Sequence, residues 1–246
     1  MKVVFHEDFY RVYTNDPAAA SGRMESIINA IKPQTEFVTA EPASHAEIAA
    51  VHTPTHIGSV REEGIYDIAA LSAGGAIQAA RISLKEPAFA LIRPPGHHAS
   101  AGSCWGFCYF NNMAIALTTL KHQGLIRNAC VLDIDLHFGD GTVNILDDKE
   151  WVKVFNPSTD SRTTYITEVE QILSGIQVDL IGISAGFDQH LEDWGHLLTT
   201  DDYRTIARMV KKAAKPSGGG YFAILEGGYN HAVLGHNVKA LLDGLS

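Results

Sequence analysis

The chain has 246 residues, 46% of them hydrophobic and 19% charged, and its 28 acidic against 19 basic residues give a formal net charge of −9. At this size a folded chain buries roughly 70–75% of the surface its unfolded form exposes, so it needs no disulfide or structural-metal staple, and a metal would be functional. A pI near 5.7 without a Lys/Arg-rich tract argues against nucleic-acid binding, and apolar runs such as Ala129–Leu132 and Leu180–Ile183 are far too short for a membrane span.

Taken in chain order, Lys2–Phe5 reads as a strand, followed by helical spacing over Gly22–Ile31, Ser44–Val51, Thr55–Ile65 and Ile68–Ile82. Ala88–Ile92 is a strand, Asn112–His122 a helix, and Ala129–Ile134 and Val152–Phe155 are strands. Thr164–Leu173, Leu180–Ser184, Thr200–Ala214, Tyr221–Leu225 and His231–Leu245 then alternate helix and strand to the end. Several strands are almost continuously apolar, which suggests a parallel sheet covered on both faces. The alternation predicts an α/β fold, a single three-layer α/β/α domain over residues 1–246 around a central, mostly parallel sheet. Met1–Phe9 carries no secretory pattern, so the expected location is cytoplasmic.

Four polar clusters each follow a strand: Arg93-Pro94-Pro95-Gly96-His97-His98, Asp133-Ile134-Asp135-Leu136-His137, Ser184-Ala185-Gly186-Phe187-Asp188 and Glu226-Gly227-Gly228-Tyr229. Ligands of open α/β sheets bind beyond the carboxyl ends of the strands, so the four clusters are expected to meet in one crevice. If the third apolar strand continues through its polar end, Asp133, Asp135 and His137 point to one face. Two carboxylates and an imidazole there need either a metal or hydrogen-bonded partners, because an unpaired buried charge costs several kcal/mol. Cap and turn groups at a strand end are the plainer alternative. With Asp188 as third ligand, an Asp/His/Asp set leaves one coordination position open, as a catalytic zinc requires.

His97-His98 follows a constrained Pro-Pro-Gly turn, and the two rings read either as satisfied histidines or as a proton-transfer pair oriented by Asp133 and Asp140. Tyr229 after two glycines reads either as loop packing or as a donor to a developing oxyanion. Cys104 and Cys108 lack the Cys-x-x-Cys spacing and a second half-site, so they read as core or pocket-wall thiols, with Trp105, Phe107, Tyr109 and Phe110 as channel wall or core.

At these residues the sequence resembles the zinc-dependent histone deacetylase and acetylpolyamine amidohydrolase family, which shares its fold with arginase. The resemblance runs in order through Arg93–Ala99, Gly106–Asn112, Asp133–Gly141, Ser184–His190 and Glu226–Tyr229, and covers the chain from about residue 45 onward. It implies that Asp135, His137 and Asp188 bind one Zn²⁺, that His98 is general base and acid with His97 as electrostatic partner, and that Asp133 and Asp140 orient the two rings. It further implies that Tyr229 polarises the acetyl carbonyl, that Gly106 and Phe107 line the substrate channel, and that a structural K⁺ sits on backbone carbonyls near Asp133 and His137, with Asn156 in place of a contributing Ser. The implied reaction is removal of acetyl groups from N-acetylated amines, in acetyl-lysine proteins or acetylpolyamines; separately, with no long insertion to build a partner interface, a monomer is expected.

Three departures qualify the resemblance. Asn15–Ala20 lacks the family's His-Pro-Glu pattern, Phe138 replaces the usual His or Asn, and Phe155–Leu173 is short, so a more open pocket is expected. An arginase-like ureohydrolase with two manganese ions is the main rival; it lacks ligands here, because Gln189-His190 follows Asp188 where a further aspartate is expected. Deacylation of another small N-acyl amine, or a catalytically silent binding protein on the same fold, are the others.

Overall fold

The computed structural model describes residues 1–246. The chain opens with β1 (Lys2–Phe5), α1 (Arg23–Ile31) and β2 (Glu36–Thr39), followed by α2 (His45–Ala49), α3 (Pro54–Glu62), α4 (Tyr66–Ser83) and β3 (Ala88–Ala90). Then come α5 (Asn112–His122), β4 (Ala129–Asp133), α6 (Asp140–Leu146), β5 (Val152–Phe155) and α7 (Arg162–Leu173). The remainder comprises β6 (Leu180–Ala185), α8 (Thr200–Ala214), β7 (Gly220–Leu225) and α9 (His231–Leu245). All seven strands form one sheet in the order β2-β1-β3-β7-β6-β4-β5. Every pairing is parallel.

The layers follow from side-chain character. Every residue of β3, β4 and β6 is buried, as the continuous apolar runs require of strands covered on both faces. On one side α4 crosses β1, β3 and β7 and packs on α5; on the other α1 packs on α9, α9 on α8, and α8 on α7. Helix α4 is rich in small buried residues, among them Ala69, Ala73, Gly74, Ala76 and Ala80, which let its backbone approach the sheet closely. Helix α8 shows the opposite design, an amphipathic stripe of Tyr203, Ile206, Ala207, Val210 and Ala214 turned inward. A capping box of Thr199 and Asp202 begins it, and Lys211 and Lys212 occupy its last turn. No helix is long and apolar enough to cross a membrane.

Two elements differ from the expectation. The edge strand β2 is largely solvent-exposed, so it has no continuous apolar run to betray it. Helix α6 starts within the polar segment at Asp140, where the sequence pattern assigns no element. Strand β4 also stops at Asp133 instead of continuing through His137, which changes how the site is built.

Candidate active site

The four polar clusters leave the carboxyl ends of β3, β7, β6 and β4, which are consecutive neighbours in the sheet. Their meeting therefore follows directly from strand order. Asp133, Asp135 and His137 are not aligned by strand alternation, since only Asp133 lies on β4. The chain beyond it coils on its own carboxylates: the Asp135 amide donates to Asp133 Oδ1 at 3.1 Å, and the His137 amide to Asp135 Oδ1 at 2.9 Å. These turns aim Asp135 and His137 back at Asp188, which β6 delivers from the neighbouring strand.

Asp135, His137 and Asp188 each bring a ligand atom within 4.8 Å of the others. His137 Nδ1 lies 3.1 Å from Asp135 Oδ1 and 3.2 Å from Asp188 Oδ2. Donors that each sit about 2.0–2.1 Å from a tetrahedral zinc stand about 3.3 Å apart, so this spacing suits the ion. The charge balance agrees. The two carboxylates raise the His137 pKa to about 10, mainly through their hydrogen bonds, while burial and the Asp135 charge push Asp188 up to about 7. Asp188 Oδ2 is buried with only the His137 ring nitrogen, 3.2 Å away, beside it, while its Oδ1 accepts from the Leu136 amide at 3.0 Å. The cluster thus gathers two buried acids around one imidazole, a donor set that suits a cation. Gly227 closes the back: its amide donates to Asp135 Oδ2 at 2.8 Å, and a Cβ there would sit 2.5 Å from that oxygen and 2.6 Å from Asp188 Oδ2.

The paired histidines lie beside this cluster. His97 Nδ1 is 3.0 Å from Asp133 Oδ2, and its Nε2 is 3.8 Å from Asp135 Oδ1. His98 Nδ1 is 2.7 Å from Asp140 Oδ1. The rings stack at 4.0 Å between centroids, yet their environments push them apart. Burial works against charge on His97, but Asp135 and Asp133 outweigh it and hold its pKa well above the ordinary value. Burial, reinforced by the His97 charge, lowers His98 to about 4. Adjacent groups displaced in opposite directions mark a division of labour, one ring held charged and one held neutral.

Tyr229 completes the rim. Its phenol is pushed well above its ordinary pKa, first by burial and then by the Asp135 and Asp188 charges, so it stays a proton donor. The cavity, about 130 Å³, is lined by His97, His98, Gly106, Phe107, His137 and Tyr229, with Cys108 also on its wall. Asn156 stands behind, accepting the Gly139 amide at 2.9 Å on its side-chain oxygen. A second donor group, His97, Cys108 and Glu226, is buried nearby. There Glu226 Oε2 already serves the Gly96 amide at 2.7 Å.

Residues 18–165 and 156–245 match the family model of the histone deacetylase domain. A probable deacetylase of Archaeoglobus fulgidus is 31% identical over 93% of this chain and 81% of its own length. This chain belongs to the histone deacetylase family. A probable deacetylase of Methanothermobacter thermautotrophicus is 29% identical, covering 99% of the chain and 90% of that protein. Among solved structures, the HDA15 HD domain superposes with a TM-score of 0.87 at 23% identity, over 99% of this chain and 88% of that one, and so shares the fold.

Within this histone deacetylase family member, several residues around the cavity had no role assigned from sequence. Arg23, from α1, donates to the carbonyls of Gly228 (2.9 Å) and Glu226 (2.6 Å) and so fixes the loop that carries Tyr229. Trp194 stacks on the Tyr229 ring at 4.1 Å and meets His137 edge-on at 6.1 Å. Its neighbour Asp193 accepts from the amides of Tyr229 (2.7 Å) and Asn230 (2.8 Å). Only an aromatic and an acid soon after Asp188 hint at this in the sequence. Asp193→Ala leaves those amides without their acceptor, and is expected to cost about 1–3 kcal/mol of stability in urea unfolding; a change under about 0.5 kcal/mol would show that the loop holds without it.

Proposed function

We propose that the protein is a zinc-dependent amidohydrolase that removes acetyl groups from N-acetylated amines, either acetyl-lysine side chains or acetylpolyamines. The observation that carries this reading is the meeting of the Asp135, His137 and Asp188 donors with His98 and Tyr229 around one small cavity. Asp135, His137 and Asp188 would hold the ion, and when bound it supplies Lewis acidity toward the acyl oxygen and toward water. A structural K⁺ on backbone carbonyls near Asp133, His137 and Asn156 belongs to the same reading.

The protein's own groups do the rest. Asp140 takes the His98 Nδ1 proton in a hydrogen bond, which leaves Nε2 as the acceptor. Held neutral by burial, His98 receives the proton of the attacking water at Nε2 and then delivers it to the leaving nitrogen, releasing acetate and the free amine. His97, cationic between Asp133 and Asp135, keeps positive charge beside the negative charge that develops on the acyl oxygen. Tyr229 donates its phenolic proton in a hydrogen bond to that oxygen. Gly106, Phe107 and Trp194 line the cavity that would receive the acyl amine.

Acetate release from acetyl-lysine peptides, acetylpolyamines and other N-acetyl amines tests this, together with metal analysis. One zinc per chain, loss of turnover on chelation and recovery on adding zinc are expected. Failure to release acetate from every substrate class by the zinc-loaded protein would refute the reading, and two manganese ions per chain would favour the ureohydrolase rival.

A further inference from the structure

Trp105 is 53% exposed, yet it contacts two buried or half-buried groups of the site. Its indole Nε1–H donates to Asp140 Oδ2 at 2.8 Å, while the other oxygen of that carboxylate faces His98 Nδ1 at 2.7 Å. Its ring also lies on the His98 imidazole, 3.8 Å between centroids and tilted by 33°. The His97 ring also lies close to His98, 4.0 Å between centroids and tilted by 42°. His98 is thus flanked by two rings and is only 5% exposed, although the indole beside it is itself exposed.

The backbone is shaped for this wrap. Gly106 turns through φ +61°, and a Cβ there would meet His98 Cδ2 at 3.1 Å. The segment then returns so that Cys108 Sγ accepts from the His98 amide at 3.4 Å.

We propose that Trp105 is a positioning residue for proton transfer: its N–H locks the Asp140 carboxylate, and its face locks the ring, so that His98 keeps Nε2 aimed into the cavity. This inference rests on the reading of His98 as the base. The physical reasons are separate. A carboxylate with a partner on each oxygen cannot rotate away from His98 without losing a charge-assisted bond. An imidazole packed against two rings keeps its rotamer while it gains and loses a proton, and an indole face attracts the cationic form. Preorganisation of this kind acts on the chemical step rather than on substrate affinity.

Trp105→Phe separates the two contributions, because it keeps a ring over His98 and removes only the N–H. It should lower kcat about tenfold, the fold-change of a weak charge-assisted hydrogen bond, with KM changed less than about twofold. In an Asp140→Asn background the same substitution should add almost nothing, since the partner it works through is altered. A readout independent of turnover is the downfield proton resonance of the His98 Nδ1–H, assigned by its loss in His98→Ala; in Trp105→Phe it should broaden and move upfield. Unchanged kcat, a raised KM with kcat intact, full additivity with Asp140→Asn, or an unaltered His98 resonance would each overturn the proposal. If the wild-type protein releases no acetate at all, the functional reading fails, and the resonance alone then decides whether Trp105 positions the ring.

Discussion

Tyr229→Phe should yield a folded, zinc-binding protein whose turnover of N-acetyl substrates falls about 10²–10³-fold, or about 3–4 kcal/mol of transition-state stabilisation. The expectation is sharp because the substitution removes one oxygen and leaves everything that holds the ring. Trp194 still stacks on it, Phe107 still meets it edge-on at 5.7 Å, and Asp193 still anchors its backbone. Arg23, whose guanidinium lies 5.6 Å from the ring centroid, keeps the loop in place. Loss of rate with unchanged zinc content and nearly unchanged KM would assign the phenol to the transition state. Wild-type turnover would remove Tyr229 from the chemistry.

His98→Ala should lower kcat by about 10²–10⁴-fold, the range associated with a positioned general acid–base group. The three proposed zinc ligands, Asp135, His137 and Asp188, are untouched, so zinc content should match the wild type, which separates a lost base from a lost metal. His97 is poorly placed to take over: its Nδ1 is hydrogen-bonded to Asp133 and its Nε2 lies 3.8 Å from Asp135, whose charges hold the ring protonated rather than ready to accept. His97→Ala should therefore also slow turnover, without abolishing the proton transfer that His98 performs. Wild-type kcat in His98→Ala would sink the assignment.

Sequence reasoning succeeded where a residue's environment is encoded nearby. The strands β4, β6 and β7 are buried between helical layers, so their apolar runs announce them, and the polar clusters at their ends stand out by contrast. That Asp135, His137, Asp188, His97, His98 and Tyr229 gather in one place was legible for that reason, as acids, imidazoles and a phenol where plain packing would favour apolar residues. What could not be read depends on partners far along the chain. Trp105 acts on Asp140, Asp193 on Tyr229, and Arg23 on Gly228, pairs separated by 35, 36 and 205 residues. Strand alternation was the wrong warrant for Asp135 and His137, because short carboxylate-to-amide turns, and not a continued strand, set their direction. Strand β2 and helix α6 escaped because one is exposed and the other opens on a polar motif.

Sheet order also bears on how the molecule assembles. Strand β7, near the end of the chain, lies between β3 and β6 and is the sole bridge from the β2-β1-β3 group to the β6-β4-β5 group. During synthesis the two groups must therefore wait as separate, unzipped halves, each showing an apolar strand edge, until the last strand slots between them. Such late, long-range parallel pairing is slow and leaves the intermediate open to aggregation. The proposed zinc donors Asp135, His137 and Asp188 follow β4 and β6, on one half, but Gly227 reaches them from the loop after β7; if they hold zinc, tight uptake should lag behind collapse of the halves and report the moment the keystone strand is in place.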